Sequence, residues 1–343
     1  MAIRHVCRFN LPINPVFDER LRAEPEVRLE VGDLGGPESA LLEMVGRAHV
    51  FHVSPARNEL PRRWFVTDEF LRDFPNLLVI SSNGAGHDTI DVGACTRAGV
   101  AVVNQIGANA LSVAEMAIGL MLAVARKIAL SDRRLRTERG FPREALMGHE
   151  VSGSTLGIVG LGQTGRLVAR MAQGFGMRVL AVDPFLPQAT IAERGAEAVE
   201  MATLLAQSDI VSLHCPLDAT TRGMFGAEAF ATMKPGALFV TTARGGIHDE
   251  AALAEALASG HLGGAGLDVW EPEPPPLDSP LLRMDNVVAT FHTAGVSREA
   301  RRNVAAWGAE QIIALLRGGT PPRLVNPEVW PEVHRQLLAL AEG

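Results

Sequence analysis

A chain of 343 residues is long enough for two domains of ordinary size, and at 47% hydrophobic residues it can bury a substantial core. Its formal net charge of −7, with Lys and Arg scattered, argues against a nucleic-acid partner; its longest strongly apolar helical stretch, MAIGLMLAVA at 116–125, is bounded by Glu115 and Arg126 and is too short to span a bilayer. Cys7, Cys95 and Cys215 lie far apart with no CxxC, and the N-terminus lacks a signal-peptide pattern, so neither a disulfide nor a metal site is expected and a reducing cytoplasm fits.

In chain order, HVCRFN, VRLEV, HVFHVS, LLVISSN and VAVVNQ read as strands between residues 5 and 105, and DERLRAE, ESALLEMVG, TDEFLRDF and IDVGACTRAG read as the helices between them. Such alternation predicts a parallel sheet covered by helices. One long helix is expected over 112–139. Its first half, apolar nearly all round, is buried against a domain or a partner subunit, and its basic, polar second half is solvated. A second series opens at STLGIVG (154–160), with LGIVG, RVLAVD, IVSLHC, ALFVTTA, GAGLDV and NVVATF as strands. Helices are expected to start near Gln163, Gln188, Val199, Gly226 and His248, and SREARRNVAAWGAEQIIALLRGG (297–319) forms the last one. The expected fold is α/β, with two Rossmann-like, doubly wound parallel-sheet domains and a cleft between them. One comprises residues 107–297 and the other 1–106 with 298–343.

The sharpest motif is GLGQTG, which puts Gly160, Gly162 and Gly165 in G-x-G-x-x-G spacing. Six residues alone are weak evidence, but the apolar strand LGIV enters the motif, a helix leaves it, and RVLAVD then ends at Asp183. That context is the dinucleotide-binding signature. Gly160 allows the tight turn, Gly162 lets the backbone approach a pyrophosphate, and Gly165 lets the helix pack on the strand, while the helix N-terminus supplies free N–H groups. Asp183 can accept from both ribose hydroxyls and would repel a 2′-phosphate, so NAD is expected over NADP. A complete α/β domain precedes this site, and in an oxidoreductase it would bind substrate.

Downstream, Arg244, Glu273 and His292 all stand near strand ends, where an open α/β sheet places its ligand crevice. Arginine's planar fork binds a carboxylate in two places and polarises a neighbouring carbonyl. Histidine gives and takes a proton near neutral pH, and a carboxylate beside it orients the ring. Each also has a bland reading: a surface arginine, a solvated glutamate in the proline-rich EPEPPP loop, a packed core histidine. Those three readings must hold together beside an intact dinucleotide signature, which favours one shared site.

With these segments in hand, the sequence resembles the D-isomer-specific 2-hydroxyacid dehydrogenase family over roughly residues 75–330. SVAE (112–115), GSTLGIVGLGQTG, LHCPLDATTRGMF, MKPGALFVTTARGG, GLDVWEPEP and ATFHTAG follow in the family's order. The resemblance implies that Arg244, Glu273 and His292 are catalytic. It implies cofactor contacts at Gly160, Gly162, Gln163, Thr164, Gly165 and Asp183, at His214, Cys215 and Pro216, at Thr242, Ala243 and Arg244, and at Asp268, His292, Ala294 and Gly295. Asp268 matches the acid that holds the nicotinamide carboxamide. SNGAGHD (82–88) looks like the substrate loop, in which Asn83, Gly84, Ala85 and Gly86, together with Arg244, hold the substrate carboxylate. Glycines suit an anion nest because they permit unusual backbone angles. The implied activity is reversible hydride transfer between NAD and a D-2-hydroxyacid/2-oxoacid pair, and the implied assembly is a homodimer through the 112–139 region.

Some features depart from the family. Phe291 stands where proline is usual, His87 where tyrosine is frequent and His248 where an aliphatic residue is frequent. With 343 residues, the chain is expected to be without the C-terminal regulatory domain of longer phosphoglycerate dehydrogenases. Arg57, Arg62 and Arg63, near the end of a first-domain strand, read either as a solvated basic turn or as a grip on a second substrate anion. The rival reading from another class is a dinucleotide-sensing binder, corepressor-like, with little turnover; retention of the three residues does not exclude it.

Overall fold

A computed structural model describes residues 3–140 and 143–342. The chain divides into two compact units: the residues up to Asn109 together with those from Ser297 onward, and the continuous stretch Ala110–Val296.

The first unit begins β1 (Arg4–Phe9), α1 (Val16–Arg22), β2 (Val27–Gly32), α2 (Glu38–Arg47), β3 (Val50–Val53), α3 (Asp68–Asp73), β4 (Val79–Ser82), α4 (Val92–Ala98) and β5 (Ala101–Val103). Its strands pair in parallel in the order β2-β1-β3-β4-β5. Side chains alternate across a strand, so each face collects its own core. Cys7, Phe9, Phe51, Val53, Ile80 and Val102 pack with side chains of α2, α3 and α4. The local chemistry ends the helices as well as starting them. Thr67 accepts from the Phe70 N–H at the start of α3, Asp91 accepts from the Ala94 N–H at the start of α4, and Gly99, at φ 71°, closes α4 in the left-handed region.

The second unit runs α5 (Ala110–Ala125), α6 (Ile128–Thr137), β6 (Thr155–Val159), α7 (Gly165–Gly174), β7 (Arg178–Val182), α8 (Gln188–Glu193), β8 (Glu197–Ala198), α9 (Met201–Gln207), β9 (Ile210–Leu213), α10 (Ala227–Thr232), β10 (Leu238–Thr241), α11 (Glu250–Ala258), β11 (Gly264–Leu267) and β12 (Val287–Ala289). The expected single helix over 112–139 is in fact two. Lys127 turns left-handed at φ 51°, and the Ala125 carbonyl accepts from the His149 N–H at 2.8 Å. The chain returning at 148–149 thus takes a carbonyl that a continuous helix would use. The strands form one parallel sheet in the order β12-β11-β10-β9-β6-β7-β8, so strand order reverses between β6 and β9. In open α/β sheets that reversal opens the crevice for a ligand at the carboxyl ends of the strands. α5 lies directly on the sheet because β11 carries glycines beneath it: a Cβ at Gly266 would stand 2.9 Å from the Leu120 Cβ, and one at Gly264 2.6 Å from Val124 Cγ1.

The C-terminal segment returns to the first unit as α12 (Arg298–Leu316) and α13 (Trp330–Glu342). Ser297 caps α12 by accepting from the Ala300 N–H. Ala305, Ala309, Ile312, Leu315, Val333 and Leu337 pack on the second sheet face, against Val6, Val50, Val79, Ala101 and Val103. Asn326 then joins the edge strand: its Oδ1 accepts from the Val102 N–H at 2.8 Å and its Nδ2 donates to the Val100 carbonyl at 2.9 Å.

Candidate active site

At the carboxyl end of β6 the chain turns at Gly160, with φ 90°. A Cβ there would lie 2.7 Å from the Cys215 nitrogen, so only glycine lets the ends of β6 and β9 approach this closely. Gly165 is equally constrained, since a Cβ would sit 2.1 Å from the Gly160 carbonyl oxygen. A Cβ at Gly162 meets nothing within 4 Å, which leaves open space over the loop. The loop thus has the cradle that a pyrophosphate requires, ahead of the ten-residue helix α7. Thr164 stands at the N-cap without a side-chain capping bond, and Gln163 Oε1 accepts from Arg166. Asp183, just past β7, accepts from the Leu161 N–H at 2.9 Å through one oxygen and from the Phe185 N–H at 3.1 Å through the other. Each carboxylate oxygen keeps a second lone pair for a ribose hydroxyl.

The neighbouring strand ends carry polar atoms without protein partners. His214 Nε2 pairs with Ser212 Oγ at 2.9 Å, while its Nδ1 and the Thr242 hydroxyl are buried with no partner among the described residues. Such orphans at strand ends are what a bound dinucleotide would satisfy, so the residues present fit NAD. Burial pulls the His214 imidazole down to about 4, so it is neutral at physiological pH. Burial likewise pushes the Cys215 thiol up to about 11, which leaves it a lining residue and not a nucleophile. Pro216 is exposed beside it, and Ala243 is buried at the end of β10.

Arg244, Glu273 and His292 meet at the ends of β10, β11 and β12. Glu273 Oε2 lies 2.9 Å from His292 Nδ1, and its Oε1 accepts from the Trp270 N–H at 3.0 Å. Burial raises the Glu273 carboxyl, but the His292 hydrogen bond and charge, the Trp270 amide and the Arg244 charge together outweigh it, holding the group below the usual carboxylate range. The Arg244 segment is pressed against this loop: a Cβ at Gly245 would lie 1.9 Å from the Trp270 carbonyl oxygen. Arg244 also donates to the Ala243 carbonyl at 2.7 Å.

His292 adopts φ 52°, a left-handed conformation that costs a non-glycine residue about 1–2 kcal/mol. Asp268 holds it there. This fully buried carboxylate accepts from Thr290 Oγ1 (2.6 Å), the Thr293 N–H (2.8 Å) and the Ala294 N–H (2.8 Å), gripping the chain on both sides of the histidine. Only one donor lies on Oδ2, so that oxygen retains a lone pair for a carboxamide N–H. Gly295 is half-buried beyond it, and Phe291 is 84% exposed.

In the first unit, residues 83–86 form the loop after β4. The Asn83 N–H donates to the Val53 carbonyl at 2.8 Å. Neither Gly84 nor Gly86 has a positive φ, so backbone angles do not explain these glycines. Space explains Gly84, where a Cβ would stand 2.9 Å from Pro55 Cγ. Of the three arginines, Arg57 donates to the Asp88 carbonyl at 3.0 Å, Arg63 is ion-paired with Glu38, and Arg62 is exposed.

Two supporting residues escape a reading of the sequence. Glu250, in the first turn of α11, accepts from the Glu271 N–H at 2.7 Å and so anchors the loop that carries Glu273. Arg194, just past α8, donates to the Leu161 carbonyl in the glycine loop at 2.5 Å. The pattern D-E before an apolar run marks a helix start, and nothing marks Arg194.

Residues 118–294 match the family model for the NAD binding domain of D-isomer specific 2-hydroxyacid dehydrogenases. D-3-phosphoglycerate dehydrogenase of Archaeoglobus fulgidus is 43% identical over 281 residues, covering 81% of this chain and 53% of that protein, so the chain spans about half the relative's length. Glyoxylate reductase of Korarchaeum cryptofilum is 43% identical over 258 residues, covering 74% of this chain and 78% of the relative. The crystal structure of a glyoxylate reductase from Paecilomyes thermophila superposes with a TM-score of 0.83 at 28% identity, covering 96% of this chain and all of that one.

Proposed function

Because the chain belongs to the D-isomer specific 2-hydroxyacid dehydrogenase family, we propose that it catalyses reversible hydride transfer between NAD and a D-2-hydroxyacid/2-oxoacid pair. The observation that carries this reading is the 2.9 Å pair between His292 Nδ1 and Glu273, formed on a strained residue beside Arg244. Gly160, Gly162, Gln163, Thr164 and Gly165 hold the pyrophosphate; Asp183 accepts from the ribose; Asp268 Oδ2 orients the carboxamide. His214, Cys215, Pro216, Thr242, Ala243, Ala294 and Gly295 line the remainder. Bound NAD supplies or accepts the hydride. In the second unit Arg244 is the group for a 2-oxoacid, polarising its C2 carbonyl. In the first unit, as the family resemblance implies, the amides of the Asn83–Gly86 loop are a receptor for a carboxylate. His292, held through Nδ1 by Glu273, keeps Nε2 for the substrate oxygen and gives its proton there in reduction or removes it in oxidation.

A panel of 2-oxoacids with NADH, read by loss of nicotinamide absorbance, tests the reading and names the substrate. His292→Ala is expected to leave NADH binding intact and lower turnover about a hundredfold or more. NADH binding with no oxidation by any 2-oxoacid would favour a dinucleotide-sensing binder instead, and unchanged turnover in the variant would remove His292 from the chemistry.

Assembly and location are part of the same proposal. Leu111 of α5 and Ile128 and Leu135 of α6 are more than half exposed, which supports a homodimer through the 112–139 region. No helix among the described residues is long and apolar enough to cross a membrane, and three unpaired cysteines support a reducing, cytoplasmic setting.

A further inference from the structure

We propose that Ser82 and Asn104 are positioning residues that pre-set an anion nest in the loop after β4. The inference rests on the reading that this loop receives the substrate carboxylate. Three successive loop carbonyls are pinned from behind. The Gly84 oxygen accepts from the Gln105 N–H (2.8 Å), the Ala85 oxygen from Asn104 Nδ2 (2.9 Å) and the Gly86 oxygen from Ser82 Oγ (2.6 Å). A trans peptide is planar, and its C=O and N–H point in opposite directions. Pinning the Gly84 oxygen by the Gln105 N–H therefore turns the Ala85 N–H away from the pin, and pinning the Ala85 oxygen through Asn104 does the same to the Gly86 N–H; the Ser82 bond holds the next peptide plane and so anchors the far end of the nest. Neither amide donates to any group among the described residues. Two adjacent amides aimed the same way form a receptor for a carboxylate oxygen.

The pins are themselves fixed. Ser82 ends β4 and is fully buried, and Asn104 is 7% exposed. Asn104 Oδ1 accepts from the Ile106 N–H (3.3 Å), its own N–H donates to the Arg323 carbonyl (3.3 Å), and its carbonyl accepts from Gln311 Nε2 (3.2 Å). Pro55 crowds Gly84 from the side. The nest is thus ordered before any anion arrives, so binding loses little to ordering the loop.

Two substitutions separate the pins. Asn104→Leu keeps the shape without adding a charge and removes the donor to Ala85 together with the 3.3 Å bond from Ile106, and Ser82→Ala removes the pin on Gly86. The readouts are kcat and KM for a 2-oxoacid that the wild type reduces, calorimetric binding of oxamate to the NADH-loaded protein, NADH affinity, and amide exchange over residues 84–86 in the unliganded protein. The Asn104 variant is expected to raise KM and the oxamate Kd about five- to tenfold, the loss of one net hydrogen bond, and Ser82→Ala, which frees only the next peptide, by about twofold, with kcat and NADH affinity unchanged and loop exchange accelerated in both. Unchanged KM and exchange in both variants would overturn the inference, as would a KM rise matched by an equal loss of NADH affinity. A wild type that neither binds oxamate nor reduces any 2-oxoacid, while the variants still accelerate loop exchange, would instead overturn the functional reading and leave the pinning intact.

Discussion

His248 is a buried polar group in the second unit that serves no visible purpose, and replacing it should stabilise the protein. Its side chain is 3% exposed, packs 5.5 Å from the Phe239 ring, and leaves both Nδ1 and Nε2 without a partner among the described residues. A neutral imidazole carries one donor and one acceptor, and each buried, unsatisfied group costs about 1–3 kcal/mol. His248→Val is therefore expected to gain about 2 kcal/mol near neutral pH, the smaller side chain giving back part of the benefit. The gain should grow in acid. Burial, only partly opposed by Asp249, pulls the imidazole from 6.5 to about 4. Between those values the unfolded state binds the extra proton and the folded state does not, so the wild type loses stability as pH falls through that window. Integrating the linkage from about pH 7.5 to about pH 5 gives an additional loss of about 2 kcal/mol that the variant escapes. Thermal or urea unfolding of both proteins at the two pH values reads the difference. His52, pulled to about 3, and His214, pulled to about 4, titrate equally in both chains and cancel. A variant less stable than wild type, or a gap that does not widen in acid, would refute the reasoning.

Glu273→Gln keeps a hydrogen-bonding group opposite His292 Nδ1 but removes the charge, so the acid limb of the hydroxyacid oxidation profile should move to lower pH; a fixed limb would detach Glu273 from the proton step. Asp268→Asn turns an NH2 toward one of the three donors now satisfied by the carboxylate. It should lower stability by about 2 kcal/mol in thermal unfolding, and an unchanged melting temperature would mean that the histidine loop holds itself. Asp183→Ser removes the acceptor of the Leu161 and Phe185 amides together with the negative charge, and fluorescence titration should show weaker NADH binding and a NADH/NADPH preference reduced about tenfold or more. An unaltered ratio would show that the preference is set elsewhere.

What the sequence made legible is what local chemistry determines. Strand alternation and helix caps located most elements, because period and capping are properties of neighbours in the chain. The glycine loop was readable for the same reason: its spacing is local, and Gly165 is required by contact with Gly160 within the turn, although the approach of Cys215 that also requires Gly160 is not visible in the motif. Non-local contacts were not readable. The break between α5 and α6 depends on the Ala125 carbonyl being taken by His149, and β8, with two residues, carries no period at all. The residues Arg244, Glu273 and His292 could be singled out as types at strand ends. Their arrangement depends on Asp268 bridging to Thr293 and Ala294, on Glu250 holding the Glu271 amide, and on Gly245 lying against Trp270, none of which follows from spacing. The substrate loop is a partial exception in the other direction: its glycines were noticed for their backbone freedom, whereas Gly84 is needed for room beside Pro55.

The first unit is assembled from two separated stretches, and this has a consequence for its birth on the ribosome. The continuous stretch Ala110–Val296 contains every strand of its sheet and both of its cores, so it is complete once it has emerged. The earlier-made unit is not: its five strands exist by Val103, yet the face bearing Val6, Val50, Val79 and Ala101 stays bare of α12 and α13 until nearly two hundred further residues have been translated. During that interval the face is covered only in part, by Phe17 and Leu21 of α1, which makes the first unit the part of the two with most need of a chaperone's shelter.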